Sequence, residues 1–490
     1  MTGIVTDYLR VRNSKIFTNT INQTGLFVFI GRPEPWEVDS EPPTPTGSAL
    51  EQRDVYRSIT SYKPVSISDV LPVTYRFNWE SGQVYQMYDD TLTPDSQEIP
   101  AGTYPYYVAV SPSPSVVDVY LCLYNGKSVY NPDGVPSIDI PIGRSSIPYI
   151  GPNDGYIWKY LYTLSSTAYE DHLTSTYLPV EPSTINSVDG EVVCAYPITS
   201  GSGMSSNNSL IPYYYCNVMG DGDGACFRFS VRNGQIDKLE MVRRGSGYTY
   251  ANFILDDGSA LRGSNIYPSL VDLDNGTNEI IIGGIKPEFR VILPPPGGYT
   301  YDTVTTLNSY YLSINVKTRY GYSISGGDNH FYENMKFRQY GLLLNPEKTN
   351  GESISSSNYT GCYAVKLSGG SGNYQVGEII RQGSALGYVV HWDTSRKLLF
   401  YIQTPLLSED MKNVIHFSGP TTIIGETSGA AGTPDVAYNS IETQTGISFI
   451  DGYSVPQIKQ NSGYILNLNN IQPVQRSSTQ TESLRFILKF

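Results

Sequence analysis

Arg32 and Glu34 stand two residues apart in the run Gly31-Arg-Pro-Glu-Pro-Trp36. A guanidinium beside a carboxylate could work as an acid–base pair, but the neighbours favour a structural reading. Pro33 and Pro35 fix φ and stiffen the loop, and Trp36 offers a large apolar anchor. An arginine holds five donors in a rigid fork, suited to tying carbonyls or a carboxylate together where proline-rich segments meet. Nucleophilic catalysis would need Ser or Cys with a histidine base. The four histidines, His172, His330, His391 and His416, fall in no such motif. No Gly-x-Ser-x-Gly elbow lies between a strand and a helix, and no Walker loop or strand-to-helix Gly-x-Gly-x-x-Gly unit occurs. Gly245, Gly247 and Gly258 read as turn glycines. Carboxylate pairs for glycoside cleavage need only a separation in space, so that chemistry stays open. Tyr and Trp would suit sugar stacking, yet aromatics spread evenly over strands read as core and interface.

Metal chemistry finds little footing. Asp221 and Asp223 sit in Gly220-Asp-Gly-Asp-Gly224, but calcium takes six to eight oxygens, and one such loop reads as a strand-connecting turn. Cys122, Cys194, Cys216, Cys226 and Cys362 are odd in number, with no Cys-x-x-Cys pair. They read as free, mostly buried thiols of a protein made in a reducing cytoplasm. Cys194, Cys216 and Cys226 share one segment without the histidine or close cysteine pair that zinc would want. No catalytic, cofactor-binding or metal-binding residue is assigned, and no cofactor is expected.

The elements that would position these residues are strands. The 490 residues include 41 Tyr, 46 Gly and 32 Pro, while charged residues are only 16%, against roughly 25% in average domains. Tyr, Thr and Val suit a pleated surface, and Gly and Pro punctuate it. The expected class is mainly β with few short helices: a multidomain chain with a discontinuous β-sandwich-like framework and inserted small β-modules. The net charge of −13 comes with no basic run, so no nucleic-acid partner is expected. No stretch approaches the roughly 20 apolar residues of a membrane span, so no membrane partner is expected either. Met1–Tyr8 lacks a basic region followed by an apolar core, so it does not read as a signal peptide.

Along the chain, Leu26–Ile30 reads as a buried strand, followed by a proline-rich loop from Pro33 to Pro45. Ser48-Ala-Leu-Glu51 forms a capping-box pattern and predicts a helix over Ala49–Ser61, stopped by Lys63-Pro64. Ser66–Pro72 reads as a short helix or turn. Val116–Tyr124 is a strand, and Asn125-Gly126 predicts a two-residue hairpin turn into a strand ending at Tyr130. Tyr156–Leu164 is a further strand, with Tyr156, Trp158, Tyr160 and Tyr162 expected on one face and Ile157 and Leu161 on the other. Trp158 reads as a core or interface anchor. Phe227, Phe229 and Val231 alternate before an Asn233-Gly234 turn. Asp302 caps a short helix ending near Asn308, and strands follow at Tyr310–Thr318 and Phe337–Pro346. Ile379–Gly387 echoes Ile423–Ala431, which predicts a pair of hairpins in one small domain. Leu484, Phe486, Leu488 and Phe490 alternate in a terminal strand expected to dock in a sheet. The division expected is a discontinuous framework of 1–75, 291–346 and 441–490, a β-rich middle domain at 76–183, an inserted Gly-rich β-module at 184–290, and a second β-module at 350–440.

Five blocks in order carry a resemblance. They are Gly31–Trp36, Pro43–Leu50, Gly155–Tyr162, Phe337-Arg-Gln339 with Asn345-Pro346, and Ser462–Asn470 with the terminal strand. Together they resemble the dimeric baseplate wedge protein of T-even-type contractile-tailed bacteriophages, over about half the chain. This chain is longer, with the excess mainly in 184–290 and 350–440. The resemblance implies a homodimeric, non-catalytic virion subunit, made in the host cytoplasm, that links peripheral fibre-bearing wedge proteins to inner ones. The residues singled out for a structural role are Arg32, Pro33, Glu34, Pro35, Trp36, Tyr156, Trp158, Phe337, Arg338 and Gln339. The rival readings are a tail receptor- or glycan-binding protein and a glycan depolymerase.

Overall fold

Antiparallel strands dominate the structure, a computed structural model that describes residues 6–21, 25–91, 105–204, 213–253, 261–263, 284–319, 332, 334–355, 358–407, 414–443, 445–477 and 480–490. Gly258, His330 and the first five residues of the chain lie outside the described residues. The protein is mainly β, in several antiparallel sheets. It divides into two compact units, one of Met1–Lys15, Leu71–Ser313 and Ile487–Phe490, the other of Ile16–Val70 and Ile314–Phe486. Segments 76–183 and 184–290 fall in the first unit, and 350–440 in the second.

In the second unit a five-stranded sheet runs in the order Tyr359–Thr360, Ile59–Pro64, Leu26–Gly31, Lys336–Leu344, Tyr464–Gln475. Its strands come from four distant stretches of sequence. Leu26–Gly31 lies in the middle, and all six of its residues are buried. A central strand has neighbours on both edges and cover on both faces, which is why its sequence is a continuous apolar run rather than an alternation. The expected helix begins at Ala49, with the Ser48 hydroxyl accepting from the Glu51 N–H. Glu51 reaches further back than a capping box requires, accepting from Thr46 and Gly47 N–H. The helix ends at Ser58, short of the expected Ser61, because Ile59–Pro64 pairs with the central strand instead. Ile59 and Thr60 are β-branched and buried, and tertiary pairing outweighs helix propensity there.

The same unit contains a seven-stranded sheet in the order Leu398–Ile402, Ala385–Asp393, Ile379–Gln382, Ile423–Gly425, Ala431–Pro434, Tyr363–Ser371, Tyr453–Ser454. Tyr363–Ser371 also pairs with Leu398–Ile402, so six of the strands close into a ring. Closure removes free edges and encloses Val365, Ile380, Val389, Leu399, Tyr401 and Ile423. The two echoed sequences are two hairpins of this barrel. They lie side by side, with Ile380 opposite Gly425 and Arg381 opposite Ile424.

The first unit is built round a four-stranded sheet in the order Tyr107–Ser113, Val116–Tyr124, Ile157–Thr163, Tyr149–Ile150. Both faces carry core clusters, so Val116–Tyr124 is buried along nearly its whole length. Asn125-Gly126 does not make the expected hairpin. Only Gly126 has positive φ, and the Asn125 amide donates to the carbonyls of Tyr85 and Asp133, holding an irregular loop from inside. The strand carrying Trp158 also departs from the expected faces. Tyr162 pairs with Val119 and Tyr160 with Tyr120, leaving Leu161 as an extra residue. This bulge rotates Tyr162 to join Leu161 in one cluster, while Tyr156, Trp158 and Tyr160 stay in the other.

Further along, Asp223–Arg232 and Gln235–Ser246 form the expected hairpin, with φ of 52° at Asn233 and 75° at Gly234. Cys194–Thr199 pairs with Glu288–Ile292, so the ends of the 184–290 stretch meet. Asp302 caps Thr303–Thr306 by accepting from Thr305 N–H, as its position predicts. The terminal strand, Thr481–Lys489, lies beside Tyr311–Arg319, with Leu484 and Phe486 buried. A helix over Asp7–Thr20 has no counterpart in the sequence reading. Its buried positions include Ser14 as well as Val11, and Tyr8, Leu9 and Ile16 are exposed, so no clean apolar stripe announces it.

Candidate functional site

The sheet register of the second unit decides which distant residues meet. Gly31 lies opposite Gln339, and Gln339 opposite Asn470. The exit of the central strand into Arg32 therefore sits beside Phe337-Arg-Gln339 and the Ser462–Asn470 block. Gly31 is required at that exit, because a Cβ there would lie 2.7 Å from the Ser58 carbonyl oxygen and 2.9 Å from Ile59 Cα.

Arg338 is the hub. It is only 4% exposed; its Nε donates to Asp39 Oδ1 at 2.7 Å and its Nη2 to Oδ2 at 2.6 Å. Its Nη1 donates to the Pro33 carbonyl. The fork grips a carboxylate with two parallel bonds and a loop carbonyl with a third. Bonding to Arg338 holds the Asp39 carboxyl down to about 2. The carbonyl-tying function expected of Arg32 thus falls to Arg338. Arg32 turns the chain at a φ of 52° and lays its guanidinium over the Trp36 ring, 3.8 Å from the centroid. Its backbone N–H donates to the Ser58 carbonyl, and burial pulls its pKa down.

Trp36 is the expected anchor: buried, with Nε1 donating to the Ile471 carbonyl at 3.0 Å and its backbone N–H to Asp39 Oδ1 at 2.8 Å. Phe337 and Pro33 are buried, and Pro35 is exposed. Gln339 donates to Asn470 Oδ1 at 2.8 Å, and Asn470 donates to the Pro43 carbonyl at 2.8 Å. Glu34 is 6% exposed. Its Oε1 accepts from Thr404 at 3.0 Å, just past the barrel strand Leu398–Ile402, so the loop also ties the sheet to the barrel. Among the described residues its Oε2 has no hydrogen-bond partner, and burial pushes the carboxyl up. Arg32 and Glu34 line a small recess with Asp54, Arg57, Ser58 and Thr404.

Tyr156 and Trp158 belong to the first unit and take no part in this joint. They are fully buried and stack on each other with centroids 5.4 Å apart. The Tyr156 hydroxyl donates to the Val135 carbonyl, and both side chains belong to one core cluster; among the described residues Trp158 Nε1 has no hydrogen-bond partner. Sequence reasoning missed Asp39 and Thr404. Asp39, three residues beyond the singled-out Trp36, carried a weak signal; Thr404 carried none.

Elsewhere, the structure brings Ser313 Oγ within 3.0 Å of His172 Nδ1 across 141 residues. Both are buried, 0% and 3% exposed, so a substrate cannot reach the pair, which holds together two segments of the first unit. Asp221 accepts from the N–H groups of Thr249 and Tyr250 and from the Thr249 hydroxyl, which pull its carboxyl down to about 2. Its lone pairs organise the turn. Among the described residues, no group of three or more His, Cys, Asp and Glu is placed to hold a metal ion. All five cysteines are buried and form no disulfide with one another, and burial pushes Cys216 and Cys362 up to about 12. No helix among the described residues is long and apolar enough to cross a membrane. No family model matches this chain, and no curated protein does.

Proposed function

We propose that this chain is a non-catalytic structural subunit of a contractile phage tail, a homodimeric baseplate wedge protein that links peripheral, fibre-bearing wedge proteins to inner ones. The supporting observation is the joint itself. Gly31–Trp36, Pro43, Phe337–Gln339 and Asn470 belong to four of the blocks that carry the resemblance, and these residues are bonded to one another in this chain. Such a joint suits a load-bearing part: it fixes a sheet, a proline-rich loop and a barrel by charge-assisted and backbone-directed bonds rather than by a mobile cleft. Virion location, wedge partners and the lack of catalysis belong to the same proposal. The test is mass spectrometry of purified virions and of isolated tails. The chain is expected in both at a fixed copy number, and its absence from purified tails would overturn the reading.

The alternative is a tail receptor- or glycan-binding protein. It is favoured by an open groove in the first unit, lined by Tyr124, Ile157, Cys194, Arg228, Lys238 and Met241 among others. Saturable binding of host surface glycan, abolished by Lys238→Glu, would support that alternative.

A further inference from the structure

The chain contains four Asn-Gly pairs, beginning at Asn125, Asn233, Asn275 and Asn350. Asn275-Gly276 lies outside the described residues. An asparagine before glycine is chemically labile. The glycine nitrogen attacks the asparagine Cγ, a C–N bond forms, and ammonia leaves. Glycine favours this because no Cβ crowds its nitrogen or restrains its backbone. The five-membered imide then takes up water at either carbonyl, giving aspartate or isoaspartate. For the attack, the peptide plane between the two residues must rotate, so the fold decides which pair reacts.

Two of the described pairs are held. Asn125 is 3% exposed. Its Nδ2 donates to the Tyr85 carbonyl at 2.9 Å and the Asp133 carbonyl at 3.2 Å, and its Oδ1 accepts from Lys127 N–H at 3.1 Å. Its backbone carbonyl accepts from Val135 N–H at 2.9 Å, which fixes the peptide plane. Asn233 is exposed, but its peptide lies in the hairpin turn closed by Arg232 opposite Gln235. The Gly234 carbonyl accepts from Met204 N–H at 3.1 Å, and a Cβ on Gly234 would lie 3.1 Å from Gly203 N, so a second segment backs the turn.

Asn350, in the second unit, is open. It and Gly351 are exposed, and nothing lies within 4 Å of where a Gly351 Cβ would sit. The chain is tied just before it, with Thr349 N–H donating to the Gln457 carbonyl at 2.9 Å and the Thr349 hydroxyl to the Pro456 carbonyl at 2.6 Å. Beyond it, 351–355 form no helix or strand, and among the described residues nothing donates to the Asn350 carbonyl. Asn350 Oδ1 accepts from Glu352 N–H at 3.1 Å. That Asx turn lays the carboxamide along the Gly351 peptide and draws electron density from Cγ. One bond opposes the attack: Gly351 N–H donates to the Lys348 carbonyl at 3.1 Å. It is an exposed turn bond, of the kind that opens at low cost.

We propose that Asn350 is a site of spontaneous modification in the folded protein, converting to aspartate and isoaspartate while the fold protects Asn125 and Asn233. The inference does not depend on the function proposed above. The step balances without a cofactor: Gly351 N gives its proton to solvent base, the carboxamide nitrogen leaves as ammonia, and water supplies the new oxygen. The product places a negative charge between Glu347 and Glu352, whose cations are Lys459 at 3.0 Å and Lys348 at 3.1 Å. Isoaspartate also inserts a methylene into the main chain, which disrupts the Asx turn.

The test incubates the purified full-length chain at body temperature and mildly alkaline pH, once folded and once in denaturant. Peptides spanning the three pairs are followed by mass spectrometry, with fragmentation that separates aspartate from isoaspartate. In the folded protein the peptide containing Asn350 is expected to gain the mass of deamidation first. Asn125 and Asn233 are expected to react roughly tenfold more slowly or less, because each waits for local opening. In denaturant the three are expected to react at similar rates, since each is followed by glycine. Folded-state reaction at Asn125 or Asn233 as fast as at Asn350 overturns the proposal. So does an Asn350 that stays intact in the folded protein while it reacts in denaturant.

Discussion

Arg338 and Glu34 are opposite cases of a buried charge. Arg338 has its charge matched, with Asp39 gripped in two bonds and the Pro33 carbonyl in a third. Arg338→Ala leaves that carbonyl without its donor and Asp39 with only the Trp36 N–H, and should cost about 2–3 kcal/mol. Arg338→Lys should recover little, since one ammonium cannot span both oxygens of Asp39. Urea denaturation decides this, and a lysine variant as stable as wild type would show that the fork geometry is unimportant. The Glu34 carboxyl accepts from Thr404 and has Arg32 and Arg338 near it, yet burial outweighs them and raises its pKa. The folded state therefore holds the proton more tightly than the unfolded chain. Its contribution is intact below the ordinary glutamate range and is lost as pH rises through the raised folded value. Relative to wild type, Glu34→Gln should gain thermal stability between pH 4 and pH 8. A Tm difference that stays flat across that range would mean Glu34 is not strained by burial.

At the scale of elements, register and bulges govern the joint. The shift between Ile30 and Gly31 brings the strand exit against Ser58, and no side chain fits there. Gly31→Ala should cost about 1–3 kcal/mol, because the atoms it meets are backbone where the helix ends at Ser58 and the neighbouring strand begins at Ile59. Gly369 in the barrel has open space where a Cβ would go, and Gly369→Ala should stay within about 0.5 kcal/mol of wild type. Equal effects at the two positions would refute close packing as the reason for Gly31. The elements were legible where their signals are local. Leu26–Gly31, Val116–Tyr124, the Asn233-Gly234 hairpin and the Asp302 cap could be read because apolar runs, a turn pair and a capping side chain act over a few residues. Asn125-Gly126 was misleading because the same dipeptide serves a hairpin or an internal amide clamp, and only the surrounding carbonyls decide which.

For the whole molecule, the two units make separate unfolding events testable. Cys122, Cys194, Cys216 and Cys226 lie in the first unit and Cys362 in the second, all buried. A thiol reagent should find none of them quickly in the native protein. In rising denaturant, labelling followed by mass spectrometry should expose them as a group of four and a group of one. Simultaneous exposure of all five would mean that the units unfold together.

The sequence by itself determined the β character, strands such as Leu26–Gly31, Val116–Tyr124 and Asp223–Arg232, the paired hairpins of the barrel and the stiff Gly31–Trp36 loop. These follow from side-chain periodicity and backbone restriction, which are local. It did not determine that the barrel closes, that Leu161 bulges and turns Tyr162 to the other face, or that Arg338 rather than Arg32 holds the loop. Nor did it show that Asn125 is clamped inside a loop while Asn350 stands open to solvent. Each of these depends on which strand lies beside which and in what register. That choice is made by contacts between residues tens to hundreds of positions apart, where no short-range pattern reaches.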